Sequence, residues 1–165
     1  MYKILLKISN LIAIISCKAA CVMLAFVAFI LFLQVVLRYV FNAALPWPEE
    51  ASRYCMIWVV LLISNVLIRD SELINVDFFD KLWPAKVIIY RDATYRILLL
   101  ILLIVLFKEG LIQAIAEKRQ TTTAMGISWF WPYLSIPVGT GLMLYQMIFL
   151  MIRDIIHFKE KRLQA

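Results

Sequence analysis

The chain has 165 residues and a formal net charge of +6, and 64% of its residues are hydrophobic while only 17% are charged. Ordinary soluble domains are about 45–50% apolar, so a soluble fold of this length could not bury so much apolar surface. The basic residues lie at the ends of apolar runs rather than in a patch with interleaved aromatic side chains, which favours anionic lipid over nucleic acid as their partner. The composition therefore predicts an all-α integral membrane protein.

Four apolar segments approach the roughly 20 residues that a helix needs to cross a bilayer, and we interpret residues 1–165 as a single membrane domain. The first span is predicted at about residues 11–37, after an amphipathic segment that lies in the headgroup region. This stretch is longer than the apolar part of a signal peptide, and no small-residue cleavage site follows it, so we expect it to be retained. The second span is predicted at about residues 48–68, since Pro48 suits the first turn of a helix.

The third span is predicted at about residues 88–116, after a cytoplasmic linker at 69–86 that contains a short surface helix. Its uncharged stretch, residues 97–107, measures only about 16 Å as a helix, so the helix must extend in both directions to cross. The fourth span, at about residues 127–152, carries no charge. Its first half contains two prolines that are expected to kink it and a cluster of interfacial aromatic residues: Pro132 and Pro137, and Trp129, Phe130, Trp131 and Tyr133.

The distribution of Lys and Arg predicts the orientation of these spans. With the N-terminus inside, the inner segments carry 12 of the 17 basic residues and the outer segments carry 5. Because basic residues concentrate on the cytoplasmic side of inner-membrane proteins, both termini are predicted to be cytoplasmic. The end of the second span that holds Pro48 is then periplasmic.

The segment at residues 45–54 contains the most informative motif. Glu49 and Glu50 lie in the first turn of the second helix, where the helix dipole favours negative charge, and Glu49 and Arg53 have the i,i+4 spacing of a helical ion pair. The uncharged rest of this span is about 8 Å shorter than the hydrocarbon core, so these charges lie near or below the interface. Three interpretations stay open: a helix start with a solvated ion pair, a contact with a partner protein, which we favour, and a role in transport.

Other polar groups in or beside the spans also have two interpretations. Lys108 and Glu109 either mark the point where the third helix leaves the lipid or make a buried contact with another subunit. The remaining polar and small residues at membrane depth are predicted to join helices, by hydrogen bonds or by close backbone approach: Gln34, Ser64 and Asn65, and Gly139 and Gly141.

The sequence offers little for catalysis, and we predict a non-catalytic subunit without a cofactor of its own. His157 is the only histidine, and the three cysteines form no CxxC pair, so zinc and bis-histidine haem sites are not expected. No nucleotide-binding loop, nucleophile–base pair or internal repeat is present. Every Asp and Glu is expected at or beyond a helix end, which leaves no midplane charge for transport by this chain alone.

Several short motifs, in order along nearly the whole chain, resemble those of a known family. They are residues 38–42 (RYVFN), 45–47 (LPW), 49–50 (EE), 53–54 (RY), 131–133 (WPY) and 136–139 (IPVG), with weaker matches at Arg69 and at 76–77 (VD). In these the chain resembles the small permease subunit of TRAP (tripartite ATP-independent periplasmic) transporters, of DctQ type. It departs from the family where Leu73 replaces a frequent histidine and Ser64 a frequent glycine.

The resemblance implies partners and a location. A larger permease subunit would move the solute with sodium, and sodium would bind that subunit rather than this chain. A periplasmic binding protein would deliver an organic acid such as sialic acid or a C4-dicarboxylate. The chain would lie in the bacterial inner membrane, in contact with lipids. The residues expected at the interface with the permease subunit or the binding protein are Trp47, Glu49, Glu50, Arg53, Lys108 and Glu109.

Two other interpretations follow from the composition alone. The chain could be an accessory membrane subunit of another complex, such as a membrane oxidoreductase that holds haem or quinone. It could also be a small four-helix exporter that acts as its own oligomer. The single histidine argues against the first, and the expected lack of a carboxylate within a span argues against the second.

Overall fold

A computed structural model describes the backbone of residues 2–43, 45–70 and 85–163, and side chains within 5–43, 45–70, 91 and 93–154. Four α-helices make up most of this part: α1 (Tyr2–Val40), α2 (Trp47–Arg69), α3 (Ala85–Ala116) and α4 (Phe130–Leu163). Each contains a segment that is long and apolar enough to cross a membrane. No strand occurs in the described ranges, where one isolated bridge joins Thr121 and Ser128. The prediction of an all-α membrane protein with four spans is confirmed.

Helix α1 has 39 residues, so it is about 58 Å long. The amphipathic segment predicted before residue 11 forms the first turns of this same helix, and its backbone shows no break between Tyr2 and Val40. The helix ends where Asn42 adopts a left-handed conformation with φ of 52°, a conformation that asparagine tolerates better than most residues. The Leu37 carbonyl then accepts hydrogen bonds from the Phe41 and Ala43 amides.

Helix α2 begins at Trp47 after the N-cap residue Pro46, so Pro48 lies in the first turn as its ring favours. The helix ends at Arg69, and the Asp70 amide donates to the Val66 carbonyl. The surface helix predicted in the linker, at about residues 75–83, lies outside the described residues.

Helix α4 begins at Phe130 rather than near residue 127, because residues 120–129 form a compact loop. In this α3–α4 loop the Thr122 amide donates to the Ile127 carbonyl at 2.8 Å, and Gly126 turns the chain with φ of 67°. The later start places Pro132 in the first turn, where proline is tolerated. Pro137 is therefore the only proline inside this helix.

Helices α2 and α3 pack on α4, and α1 packs mainly on α2. Half of the apolar segment of α4 is buried, whereas only 17% is buried in α1 and in α3. Glycines bring the backbones close together. A Cβ at Gly139 would lie 2.6 Å from Leu61 Cβ of α2, and one at Gly110 of α3 would lie 2.7 Å from Ile136 Cγ2. The main apolar cluster lies between α2, α3 and α4, and it contains Ile68, Leu103, Met143, Met147 and Leu150.

Buried polar side chains join α1 to α2 and α4 near the end of the bundle where α2 finishes. Ser9 Oγ donates to Gln146 Oε1 at 2.6 Å, and Gln146 Nε2 donates to the Ser9 carbonyl at 3.1 Å. Asn65 Nδ2 donates to Ser16 Oγ at 3.0 Å. The prediction that Asn65 bonds across helices is confirmed. The prediction for Ser64 is wrong, because its hydroxyl donates to the Val60 carbonyl of its own helix.

Candidate functional site

The predicted interface residues of α2 occupy its first two turns, and the helix separates them into two sets. Glu49 and Arg53 point away from the bundle, with 67% and 71% of their side chains exposed, and Glu49 Oε1 lies 3.0 Å from Arg53 Nη2. The i,i+4 ion pair predicted from the sequence is therefore present. Since exposed pairs of this kind contribute only about 0–1 kcal/mol to stability, the bundle gains little from holding these charges here.

Glu50 points in a different direction and binds the α3–α4 loop. Its Oε2 accepts hydrogen bonds from the amides of Ala124 and Met125, both at 2.9 Å. Its Oε1 accepts the Tyr54 hydroxyl at 2.7 Å. This carboxylate thus fixes the loop, more than 70 residues away in sequence, against the start of α2. Its geometry suits an internal structural contact rather than one with a partner.

Aromatic rings next to Glu50 also join α2 to the α3–α4 loop and to α4. Tyr54 and Trp129 meet edge to face with centroids 5.6 Å apart, and Trp129 lies 5.9 Å from Tyr133. Such pairs contribute about 0.5–1.5 kcal/mol each beyond their buried area. The start of α2, the loop and the first turn of α4 therefore form one rigid unit at this end of the bundle.

An open cleft of about 350 Å³ lies between the first turns of α2 and the α3–α4 loop. Glu49 and Arg53 line it on one side, Thr123 and Ala124 line it on the other, and the Trp129 ring also contributes. Trp47 lies outside this cleft and lines a separate apolar groove of about 330 Å³ with α1 residues such as Phe26. The structure therefore places Glu49 and Arg53 together in the cleft and Trp47 in the neighbouring groove.

Lys108 and Glu109 lie far from this cleft, within α3 rather than at its end. Lys108 is twelve residues, about 18 Å, from Arg96 and eight residues, about 12 Å, from the last helical residue, Ala116. Arg96 forms an ion pair with Asp154 of α4 near the opposite end. The expectation that every Asp and Glu lies at a helix end is therefore wrong, because Glu109 lies within α3.

The packing of α3 on α4 fixes this depth. Gly110 contacts Ile136 and Pro137, and Pro137 is seven residues, or about 10 Å, into α4. Phe107 contacts Gly141, one turn deeper. Lys108 and Glu109 are both exposed on the surface of α3, and neither side chain has an ion-pair or hydrogen-bond partner among the described residues.

Metal-ligand chemistry has little support in the described part of the chain, where no three His, Cys, Asp or Glu side chains cluster closely enough to hold an ion. His157 lies outside the described side chains.

Sequence reasoning missed the contacts of Glu50 with the α3–α4 loop and the Arg96–Asp154 pair. Tyr54 carried a usable signal, because it follows Glu50 at the same i,i+4 spacing that pairs Glu49 with Arg53.

Comparison with known proteins decides the family. The family model described as "Tripartite ATP-independent periplasmic transporters, DctQ component" matches residues 27–157. The chain belongs to the DctQ family. The resemblance inferred from the short motifs is confirmed. Because this family is a transporter component, the chain is not an enzyme, and its four apolar helices make it a multi-pass protein of the bacterial inner membrane.

Curated relatives include both separate and longer permease proteins. The chain is 26% identical over 141 residues to the sialic acid TRAP transporter small permease protein SiaQ of Vibrio cholerae, covering 86% of this chain and 79% of SiaQ. It is 31% identical over 120 residues to the sialic acid TRAP transporter permease protein SiaT of Haemophilus influenzae, covering 72% of this chain but 19% of SiaT. It is 31% identical over 134 residues to the isethionate TRAP transporter permease protein DctMQ of Oleidesulfovibrio alaskensis, covering 74% and 20%. The chain thus spans about a fifth of the two longer relatives.

Proposed function

We propose that this DctQ-family chain is the small membrane subunit of a sodium-driven uptake system, in which it braces a larger permease subunit and helps to dock a periplasmic solute-binding protein. SiaT and DctMQ support the brace, because a region similar to this chain forms about a fifth of each longer permease protein. A region that is covalently continuous with the rest of a permease in relatives is expected to pack against the corresponding subunit here.

The solute that we propose is a small organic acid of sialic acid or C4-dicarboxylate type. Two relatives are named for sialic acid and one for isethionate, and both compounds are organic anions. Sodium and the solute would bind the larger subunit. The family assignment removes the reason for the alternative, an accessory subunit of a membrane oxidoreductase.

The cleft beside Glu49 and Arg53 is the observation that carries the docking role. Glu50 holds both sides of this cleft together through the Ala124 and Met125 amides, so its shape is fixed before a partner arrives. The Glu49–Arg53 pair is exposed on its rim, where charges mainly steer association and set orientation. On the predicted topology this cleft opens to the periplasm, where a binding protein would approach.

A charge exchange tests this proposal. In cells that lack this chain, uptake of the organic acid should return when the unmodified chain is expressed with its permease subunit and binding protein. The variant with Glu49→Arg and Arg53→Glu keeps an ion pair but inverts its direction, so we expect a higher concentration of binding protein to be needed for half-maximal uptake in proteoliposomes. Recovery of the permease subunit should be unchanged.

Lys118→Glu is the matched control, because Lys118 is also exposed at this end of the bundle but lies outside the cleft. It should leave the dependence on binding protein as it is. If the Glu49/Arg53 exchange also leaves that dependence unchanged, the docking role of this cleft is wrong. If uptake never requires the chain, the whole proposed function is wrong.

A further inference from the structure

Helix α3 carries two stripes of residues with the 3–4 spacing of a helix-packing seam. The first consists of Leu103, Phe107, Gly110 and Ala114, and it faces α4: Leu103 and Ala114 are 3% and 1% exposed, and Gly110 and Phe107 contact α4 residues. The second, which we call the outer seam, is turned by about 160°. It consists of Ile101, Val105, Lys108, Ile112 and Ile115.

The outer seam has no cover in the described part of the chain. Its four aliphatic side chains are between 51% and 67% exposed, and Lys108 is exposed in their midst. Every member except Lys108 is a β-branched aliphatic residue. In helix pairs, such a stripe with one polar residue at a seam position is the pattern that selects a particular partner and register, at some cost in stability.

Lipid cannot satisfy Lys108 and Glu109 at this depth. Lys108 lies about 12 Å and Glu109 about 10 Å from the end of α3, and both lie about 18 Å or more from the level of Arg96. Side chains on a helix lean towards its N-terminus. The Lys108 stem therefore leans towards the bilayer centre rather than towards the nearer, outer surface. The two groups also cannot neutralise each other, because neighbours at i,i+1 point in different directions on a helix.

We propose that the outer seam of α3 is the surface on which a transmembrane helix of the large permease subunit packs, with an acidic side chain of that helix opposite Lys108 and a hydrogen-bond donor near Glu109. This inference rests on the proposed function, since it names the face through which the chain braces its partner. Ionisable groups inside a membrane usually face protein and are paired, and an apolar seam interrupted by one lysine supplies both the area and the charge for such a contact.

The test compares two double variants that remove the same charges at different depths. Lys108→Leu with Glu109→Leu removes the pair in the outer seam. Glu117→Leu with Lys118→Leu removes an adjacent Glu–Lys pair in the 3-10 turn just beyond α3. Each tagged chain is co-expressed with its permease subunit, and the amount of permease subunit recovered per chain is measured. We expect about tenfold less recovery for the seam variant and full recovery for the control.

The isolated chains supply the second measurement. In detergent or nanodiscs, the seam variant should unfold at the same temperature as the unmodified chain or a higher one, because leucine suits lipid better than a charge does. Lys108→Arg, which keeps the charge, should retain most of the recovery. A seam variant that misfolds in isolation would show an internal role for these charges and would overturn the inference.

A cross-linking measurement identifies the occupant. Cysteine replaces Ile112 in a chain whose three native cysteines are changed to alanine, and it carries a photoreactive benzophenone maleimide. The inference requires a cross-link to the permease subunit that disappears in the seam variant. A product that joins two copies of this chain, or unchanged recovery of the seam variant, would overturn it. If the unmodified chain recovers no permease subunit, the proposed function itself fails.

Discussion

Replacement of Glu50 by alanine should release the α3–α4 loop from α2. The change removes three acceptor contacts, with the amides of Ala124 and Met125 and the hydroxyl of Tyr54. Hydrogen bonds to a charged group contribute about 1.5–3 kcal/mol each when they are shielded from water. The Tyr54 bond lies within α2 and persists when the loop opens, the Met125 amide is exposed and adds little, and the part-buried Ala124 amide makes the main contact that holds the loop. Because Glu50 is open to solvent, we expect the loss of this contact to raise the population of the open loop by about tenfold.

Amide hydrogen exchange measures this loss where it occurs. An increase of about tenfold in the population of the open loop should make the Ala124 amide in Glu50→Ala exchange about tenfold faster. Amides in the middle of α4, such as that of Met147, should keep their protection. Mass spectrometry of the chain in nanodiscs can follow both regions in one sample.

Two variants separate the contacts of Glu50 from its charge. Glu50→Gln keeps one oxygen that can accept both loop amides, so the loop should open less often than in Glu50→Ala. Glu49→Ala removes the neighbouring carboxylate, whose exposed ion pair contributes about 0–1 kcal/mol, and it should leave the loop closed. If Glu50→Ala exchanges no faster than Glu49→Ala, Glu50 does not hold the loop and the geometry of the cleft must have another cause.

Two further predictions concern the interior of the bundle. Gly139→Ala places a Cβ 2.6 Å from Leu61 Cβ, so α2 and α4 must separate and the unfolding free energy in detergent should fall by about 1–3 kcal/mol. Gly141→Ala meets only the Phe107 ring edge at 3.3 Å and should cost less, and an equal loss would contradict this account. Asn65→Ala removes the bond to Ser16 of α1 and should cost about 0.6–2 kcal/mol. Ser64→Ala should cost almost nothing because Ser64 bonds within its own helix, and the same denaturation curves compare the two.

The number and order of the helices follow from the sequence because hydropathy is a local property. Each span is a continuous apolar run, and Pro48 marks the start of the second one without reference to any other part of the chain. The start of α4 was harder to predict from the sequence. The apolar and aromatic residues from Ile127 onward read as helix, whereas the loop extends to residue 129. Gly126, four residues before the helix, was the available signal of a turn.

The position of one helix along its neighbour depends on contacts between residues that are distant in sequence, whereas the number and order of the helices do not. The short uncharged stretch at 97–107 required α3 to extend in both directions, yet nothing in that stretch tells where the membrane surface lies. Gly110 against Ile136 and Pro137 sets the height of α3 on α4, and that contact places Lys108 and Glu109 inside the span. The role of Glu50 was hidden for the same reason, since its loop partners lie 74 and 75 residues away.

The stability of the isolated chain should reflect the unpaired charges on α3. Helices α1, α2 and α4 are joined by buried polar bonds, but in the described part of the chain α3 packs mainly on α4 and on the turn that follows it. A charged side chain at the centre of a lipid-facing helix costs about 2.5–3.5 kcal/mol, so Lys108 and Glu109 together cost about 5–7 kcal/mol in lipid. That cost equals a large part of the 5–15 kcal/mol that holds small domains together. A partner that covers α3 would remove this cost by taking Lys108 and Glu109 out of contact with lipid. We therefore expect the order of α3 to depend on assembly more than that of the other helices.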